Sequence, residues 1–271
     1  MSGGAAISEL MSLPAIILCG GLGTRLRSVI ADSPKALAEV AGHPFLSWLL
    51  DQLQSCGTEE VVLATGYKAE RIRDLYGEQY GPIRLRYSCE SAPLGTAGAL
   101  LLATKQLPGT QLFLVMNGDS YCHMDLRAFV RDHLRSGIPN SMVVTTVDDT
   151  RRFGSVQVDE DDLIRGFREK GATNQFNGAG LINAGVYIVA RTLAESIPLG
   201  RSVSLENEIF PSCLDGRLRM WKALGPFIDI GTPESYAQAG KVLTKDSGVL
   251  RRVGLEARKE ERLVPDPTIE R

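Results

Sequence analysis

Short apolar, β-branched runs recur along the first half of the chain, separated by longer amphipathic stretches. AIILC at 15–19, VVLAT at 61–65, IRLRYS at 83–88, LFLVMN at 112–117 and SMVVTTV at 141–147 are each bounded by turn residues and predict strands. In PFLSWLLDQLQSCG, Phe45, Trp48, Leu49 and Leu53 share one helical face; Pro44 suits a first helical position and Gly57 an end. In DLRAFVRDHLRSG the stripe is Leu126, Phe129, Val130 and Leu134, with Asp125 as N-cap and Gly137 as terminator. Such alternation predicts an α/β fold: a mixed, mostly parallel sheet flanked by helices, with ligands at the carboxyl ends of the strands. After Thr150 the pattern turns β-rich through FGSVQVD, LIRGFREK, GLINAGVYIVA and RLRMWKAL, then returns to a helix from about Pro233. No linker interrupts it, so the reading is a single domain over 14–245, whose second half, from 151, completes the pocket of the first.

Composition narrows the function classes. With 271 residues, 44% of them hydrophobic, the chain can bury a full core. Thirty Lys and Arg against 32 Asp and Glu give a net charge of −2, which provides no field for nucleic acid or an anionic membrane. A small anion remains compatible with that balance. Cys19, Cys56, Cys89, Cys122 and Cys213 are scattered and odd in number, which points to reduced thiols and a cytoplasmic protein. No apolar run approaches the roughly 18 residues of a membrane span, and MSGGAAISELMSL lacks a basic leader region. Residues 1–13 and 246–271 read as flexible termini.

The run AIILC delivers Gly20, Gly21 and Gly23 to the edge of the predicted sheet, where backbone N–H groups can approach an anion closely. The turn is not a P-loop, since G-x-x-x-x-G-K-[ST] is absent; nor is it a dinucleotide fingerprint, since Leu26 stands where the third glycine belongs. An isolated G-G-x-G is most simply a tight turn. Here Arg25 follows in GTRL and Lys35 in SPKAL, the lysine stiffened by Pro34, so the glycines come with two cations suited to phosphate.

LCGGLGTRL with SPKAL resembles the signature of the sugar-1-phosphate nucleotidyltransferases. ESAPLGTAGAL, NGDS, FG at 153–154, EK at 169–170, NAGVY and FIDIGTPESY resemble later motifs of that family in the same order. Within it the likeness is nearest to guanylyltransferases acting on D-glycero-α-D-manno-heptose 1-phosphate, then to mannose 1-phosphate enzymes. The resemblance implies the Rossmann-like fold of nucleotide-diphospho-sugar transferases, with a nucleotide-binding half to about 150 and a sugar-phosphate-binding half beyond. It implies a nucleoside triphosphate and a sugar 1-phosphate as partners, Mg²⁺ as cofactor and pyrophosphate as by-product, and leaves homo-oligomerisation open.

By that analogy Arg25 holds the leaving phosphates and Lys35 the charge around the α-phosphate, while Leu18, Gly20, Gly21, Gly23, Thr24, Glu90, Pro93 and Gly95 contact the nucleotide. Glu90 would meet the base; a carboxylate only accepts hydrogen bonds, and guanine presents two adjacent donors. Read structurally, Glu90 is a helix-preceding cap. Lys170 is the candidate sugar-phosphate ligand, with Glu169, Gly154 and Asn183 around the sugar. Asp119 and Asp229, each expected at a strand end, suit Mg²⁺, which takes few protein oxygens beside phosphates and water. Two motifs are set aside: VDEDDL reads as a hairpin turn and His123 as part of a loop. Thymidylyl or uridylyl transfer to glucose 1-phosphate, and a non-catalytic sensor of nucleotide sugars, are the competing functions.

Overall fold

All five apolar runs form strands within a residue or two of their expected limits in the computed structural model, which describes residues 13–21, 26, 29, 30, 33–168 and 178–246, with side chains through Thr244. In chain order the strands are β1 (Ala15–Leu18), β2 (Glu39–Val40), β3 (His43–Pro44), β4 (Glu60–Thr65), β5 (Gln79–Tyr80), β6 (Ile83–Cys89) and β7 (Leu112–Asn117). They continue with β8 (Ser120–Cys122), β9 (Asn140–Val147), β10 (Ser155–Val158), β11 (Ile164–Arg168), β12 (Gly180–Ala190), β13 (Leu218–Lys222) and β14 (Phe227–Asp229). The α-helices are α1 (Phe45–Cys56), α2 (Ala69–Tyr76), α3 (Gly95–Thr104), α4 (Leu126–Ser136), α5 (Arg191–Glu195) and α6 (Pro233–Asp246).

Eight strands form one sheet in the order β13, β9, β12, β7, β1, β4, β6, β5. β7, β1, β4 and β6 are parallel at its centre, β12 runs antiparallel to both β7 and β9, and β13 is parallel to β9. Period-two alternation divides the core. Ala15 and Ile17 face α1, α2, α4 and α6 through residues such as Leu49, Ile72, Phe129 and Ala239, whereas Ile16 faces α3 and α5 through Leu100 and Leu193. Leu13, expected in a loose leader, is buried in the first of these layers.

The expected stops hold for physical reasons. Gly57 takes φ +87° and its N–H returns to Gln54 and Leu53, closing α1. Pro44 lies one residue before that helix rather than in it. Asp125 caps α4 by accepting from the Ala128 N–H at 2.9 Å, and Gly137 ends it at φ +67°. β10 and β11 form the hairpin expected of VDEDDL: Asp159 Oδ1 accepts from the N–H groups of Asp161 and Leu163.

His133 on α4 is buried, and its Nδ1 lies 2.8 Å from Ser141 Oγ on β9. Burial lowers its pKa to about 4, against the opposing pull of Asp132. A histidine held below its unfolded value makes its full contribution above about pH 6.5 and loses it as pH falls towards 4. Urea titrations should therefore show about 2–3 kcal/mol lost across that window from this group. His133→Gln should remove this part of the acid dependence.

Candidate functional site

Two open cavities lie at the carboxyl ends of the central strands. The first, about 540 Å³, is lined by Leu18, Gly20, Gly21, Lys35, Glu90, Pro93, Gly95 and Asp119, with Asn117, Thr96, Ser202 and Glu206 among its other residues. The second, about 520 Å³, is lined by Asp119, Gly154, Asn183 and Asp229, with Phe153, Phe227, Ser204 and Arg168 beside them. Asn117, Asp119 and Glu206 border both, so the cavities share a wall. Every predicted site residue that the structure describes therefore lines one of these two spaces. Gly23, Thr24, Arg25, Glu169 and Lys170 lie outside the described residues.

The glycine turn follows β1 directly. Cys19 N–H bonds to Ala64 O at 2.7 Å and Gly118 N–H to Leu18 O at 3.0 Å, which fixes where the strand ends. A Cβ at Gly20 would stand 2.9 Å from Glu90 Oε1, whereas one at Gly21 would meet nothing within 4 Å. Gly20 thus makes room for Glu90, and Gly21 faces open space. Glu90 follows β6; its Oε2 accepts from the Leu94 N–H at 3.0 Å, which ties down the residue ahead of α3 without capping the helix itself, and it lines the first cavity as well. Gly95 has φ +73°, and a Cβ there would lie 2.4 Å from Val203 O, so the described structure requires a glycine there for packing. Burial, reinforced by the charge of Asp119, raises the pKa of the Cys19 thiol to about 12 and keeps it un-ionised.

Lys35 opens a single 3₁₀ turn, Lys35–Leu37, behind Pro34 at φ −54° and anchored by buried Ala36. Its Nζ lies 2.6 Å from Asp119 Oδ2, with the lysine side chain 12% exposed and the aspartate 42%. Asp119 is not the last residue of β7, as expected; it stands two residues further on, between β7 and β8. β8 pairs antiparallel with β14, setting Ser120 opposite Asp229, and the Ile230 N–H bonds to Asp119 O at 2.9 Å. This short ladder brings Asp119 and Asp229 together from distant parts of the chain. Asp229 Oδ1 accepts from the Gly231 N–H at 2.9 Å and lies 3.5 Å from Arg152 Nη2, whose guanidinium also reaches Thr232 and Ser235.

Asn183 reaches the second cavity because the β9–β12 register slips between Asn183 and Tyr187. Its amide is already engaged there: Oδ1 accepts from the Gly185 N–H and Nδ2 donates to Tyr187 Oη, both at 2.8 Å. The residue holds the bulge, a duty that sequence reading did not foresee. Glu206 was also missed. It lies in a single π turn, Leu205–Ile209, and Oε2 accepts from Thr96 Oγ1 at 2.8 Å and Ser204 Oγ at 3.0 Å. Thr96 in turn accepts from the Leu205 N–H, which fastens the turn to α3. The Ser204 start signal and two following acids were its sequence trace.

The geometry meets its relatives at this point. The profile of the family described as nucleotidyl transferase matches residues 14–246. The chain is 35% identical over 224 residues to a D-glycero-α-D-manno-heptose 1-phosphate guanylyltransferase of Campylobacter jejuni, spanning 83% of this chain and 97% of that one. It is 33% identical over 256 residues to a mannose-1-phosphate guanylyltransferase of Mycobacterium tuberculosis, spanning 93% and 70% respectively. The crystal structure of HddC from Yersinia pseudotuberculosis complexed with GMP-PN superposes with a TM-score of 0.73 at 34% identity, covering 84% of this chain and 98% of that one.

Proposed function

We propose that this chain, which belongs to the nucleotidyl transferase family, transfers the guanylyl group of GTP to a sugar 1-phosphate, giving a GDP-sugar and pyrophosphate. The observation that carries this reading is the junction of two cavities at Asp119, with Lys35 against it and Asp229 on the neighbouring strand. The first cavity suits the triphosphate and the second the sugar phosphate. A phosphate oxygen of the sugar phosphate attacks the α-phosphorus, a new P–O bond forms, and the bond to the β-phosphate oxygen breaks. The nucleophile is already anionic, so the demand on the protein is to align two anions and offset their charge. Lys35 supplies a fixed positive charge at the junction.

The carboxylates fit a divalent ion. They line one cavity from the same end of the β8–β14 ladder, Asp119 just before β8 and Asp229 the last residue of β14, and among the described residues no hydrogen bond engages Asp119 Oδ1 or Asp229 Oδ2. Mg²⁺, a hard ion that accepts few protein oxygens, would be held by Asp119 and Asp229 and would neutralise phosphate charge. Asp229→Asn is expected to raise the half-saturating Mg²⁺ concentration about tenfold, read from pyrophosphate release against metal.

The sugar proposed is D-glycero-α-D-manno-heptose 1-phosphate, with mannose 1-phosphate the second choice; the similarity to enzymes of both names supports that order. A cytoplasmic location goes with five unpaired cysteines. Glu90 in the first cavity supports guanine. Glu90→Gln preserves an acceptor for the Leu94 N–H while removing the charge and turning one acceptor oxygen into a donor, so it should leave the fold intact and narrow the preference for GTP over UTP about tenfold. An unchanged preference would place base reading elsewhere. The decisive experiment crosses GTP, ATP, UTP, CTP and TTP with heptose, mannose and glucose 1-phosphates in Mg²⁺. Pyrophosphate release with GTP supports the reading. Binding of GDP-sugars without any release would establish a sensor instead.

A further inference from the structure

We propose that Glu206 is the hydroxyl acceptor that orients the sugar in the second cavity, presenting the phosphate end to Lys35 and the polyol end to the π turn. This rests on the transferase reading above. Glu206 lines the second cavity and the wall that it shares with the first, so its carboxylate is within the space assigned to the sugar phosphate. Thr96 and Ser204 donate to Oε2, which fixes the plane of the carboxylate. Among the described residues Oε1 receives only a long contact of 3.4 Å from Tyr187 Oη, a phenol already accepting from Asn183 at 2.8 Å. Burial, followed by the charge of Glu206, raises the Tyr187 pKa well above its ordinary value, so the phenol remains protonated. Among the described residues Oε1 thus retains acceptor capacity, on a side chain that lines the cavity.

A carboxylate without a proton binds donors and repels anions. A sugar 1-phosphate has both kinds of end: a dianionic phosphate and a ring of hydroxyl donors. Placed against Glu206, the phosphate would meet like charge, whereas a hydroxyl would gain a charge-assisted hydrogen bond; at Asp119 the phosphate has the Lys35 ammonium beside it. The same wall carries Phe153 and Phe227, edge to face at 5.6 Å between centroids, an apolar flank for the C–H face of a ring. Donor-seeking carboxylate and apolar wall together describe a saccharide site.

A merely structural role would tie the Leu205–Ile209 turn to α3 and nothing more, so the test must read the substrate as well as the protein. The kcat/KM of wild type and Glu206→Ala is measured with the preferred sugar 1-phosphate and with its monodeoxy analogues. The expected result is one deoxy analogue that loses about tenfold or more with wild type and loses little further with Glu206→Ala, since both changes remove the same bond. Should Glu206→Ala unfold, Glu206→Gln, which retains the tie to Thr96, takes its place with a smaller coupling in the same direction. Independent, multiplying losses for every analogue would overturn the proposal while wild-type pyrophosphate release left the transferase reading standing. If wild type neither turned over nor bound any sugar 1-phosphate by calorimetry, both would fall together.

Discussion

Lys35→Ala is expected to lower kcat by about 10²-fold or more at saturating substrates, with the unfolding midpoint little changed. A positive charge fixed before the reaction begins needs no reorganisation as charge shifts between phosphates, and the loss of one such group is commonly worth two to three powers of ten. Lys35 meets that description: its side chain is 12% exposed, Pro34 and Ala36 hold its turn, and its ammonium contacts Asp119 at 2.6 Å. The partner left behind is 42% exposed, so water can solvate it and the stability cost is small. Steady-state kinetics beside a thermal melt checks both halves. Near wild-type turnover would remove Lys35 from the chemistry.

Gly95→Ala is expected to destabilise the protein by about 3 kcal/mol or more and to raise the KM for the triphosphate. Two independent effects add. Alanine at φ +73° is strained by about 1 kcal/mol, and its Cβ would stand 2.4 Å from the backbone oxygen of Val203. That oxygen cannot simply retreat, because it accepts from the Ala97 N–H at 3.0 Å, while the Val203 N–H donates to Leu94 O at 2.8 Å. Separating the segments exposes the first turn of α3 and displaces Ser202 and Glu206 from the first cavity. Gly21→Ala is the contrast, since its methyl enters open space. Denaturant titration of both variants distinguishes the positions; equal stability would contradict the packing described.

Much of this was readable from the chain. The five apolar runs and the two striped helices carry their period and their stops together, so local and global preferences agree. Lys35, Asp119 and Asp229 were named through the resemblance of their ordered motifs to a known family, and the fold sets Lys35 against Asp119 and pairs Asp229 with Ser120 beside it. The missed features depend on distant partners. β8 is three residues long and pairs with β14, formed far later in the chain. Glu206 owes its placement to Thr96 on another element, and a π turn has no hydrophobic period to announce it. Asn183 was assigned to ligand, yet its amide closes a bulge whose register slip no strand pattern encodes.

The β8–β14 ladder also sets an order of events during synthesis. Asp229 can join Asp119 only after the ribosome has released the chain beyond Ile230, so a nascent protein with a finished glycine turn and Lys35 still lacks half of its carboxylate pair. At about 5–20 residues per second, that interval lasts seconds. Ser202 and Glu206, which wall the first cavity, are also made within that interval, so both cavities are completed late in synthesis.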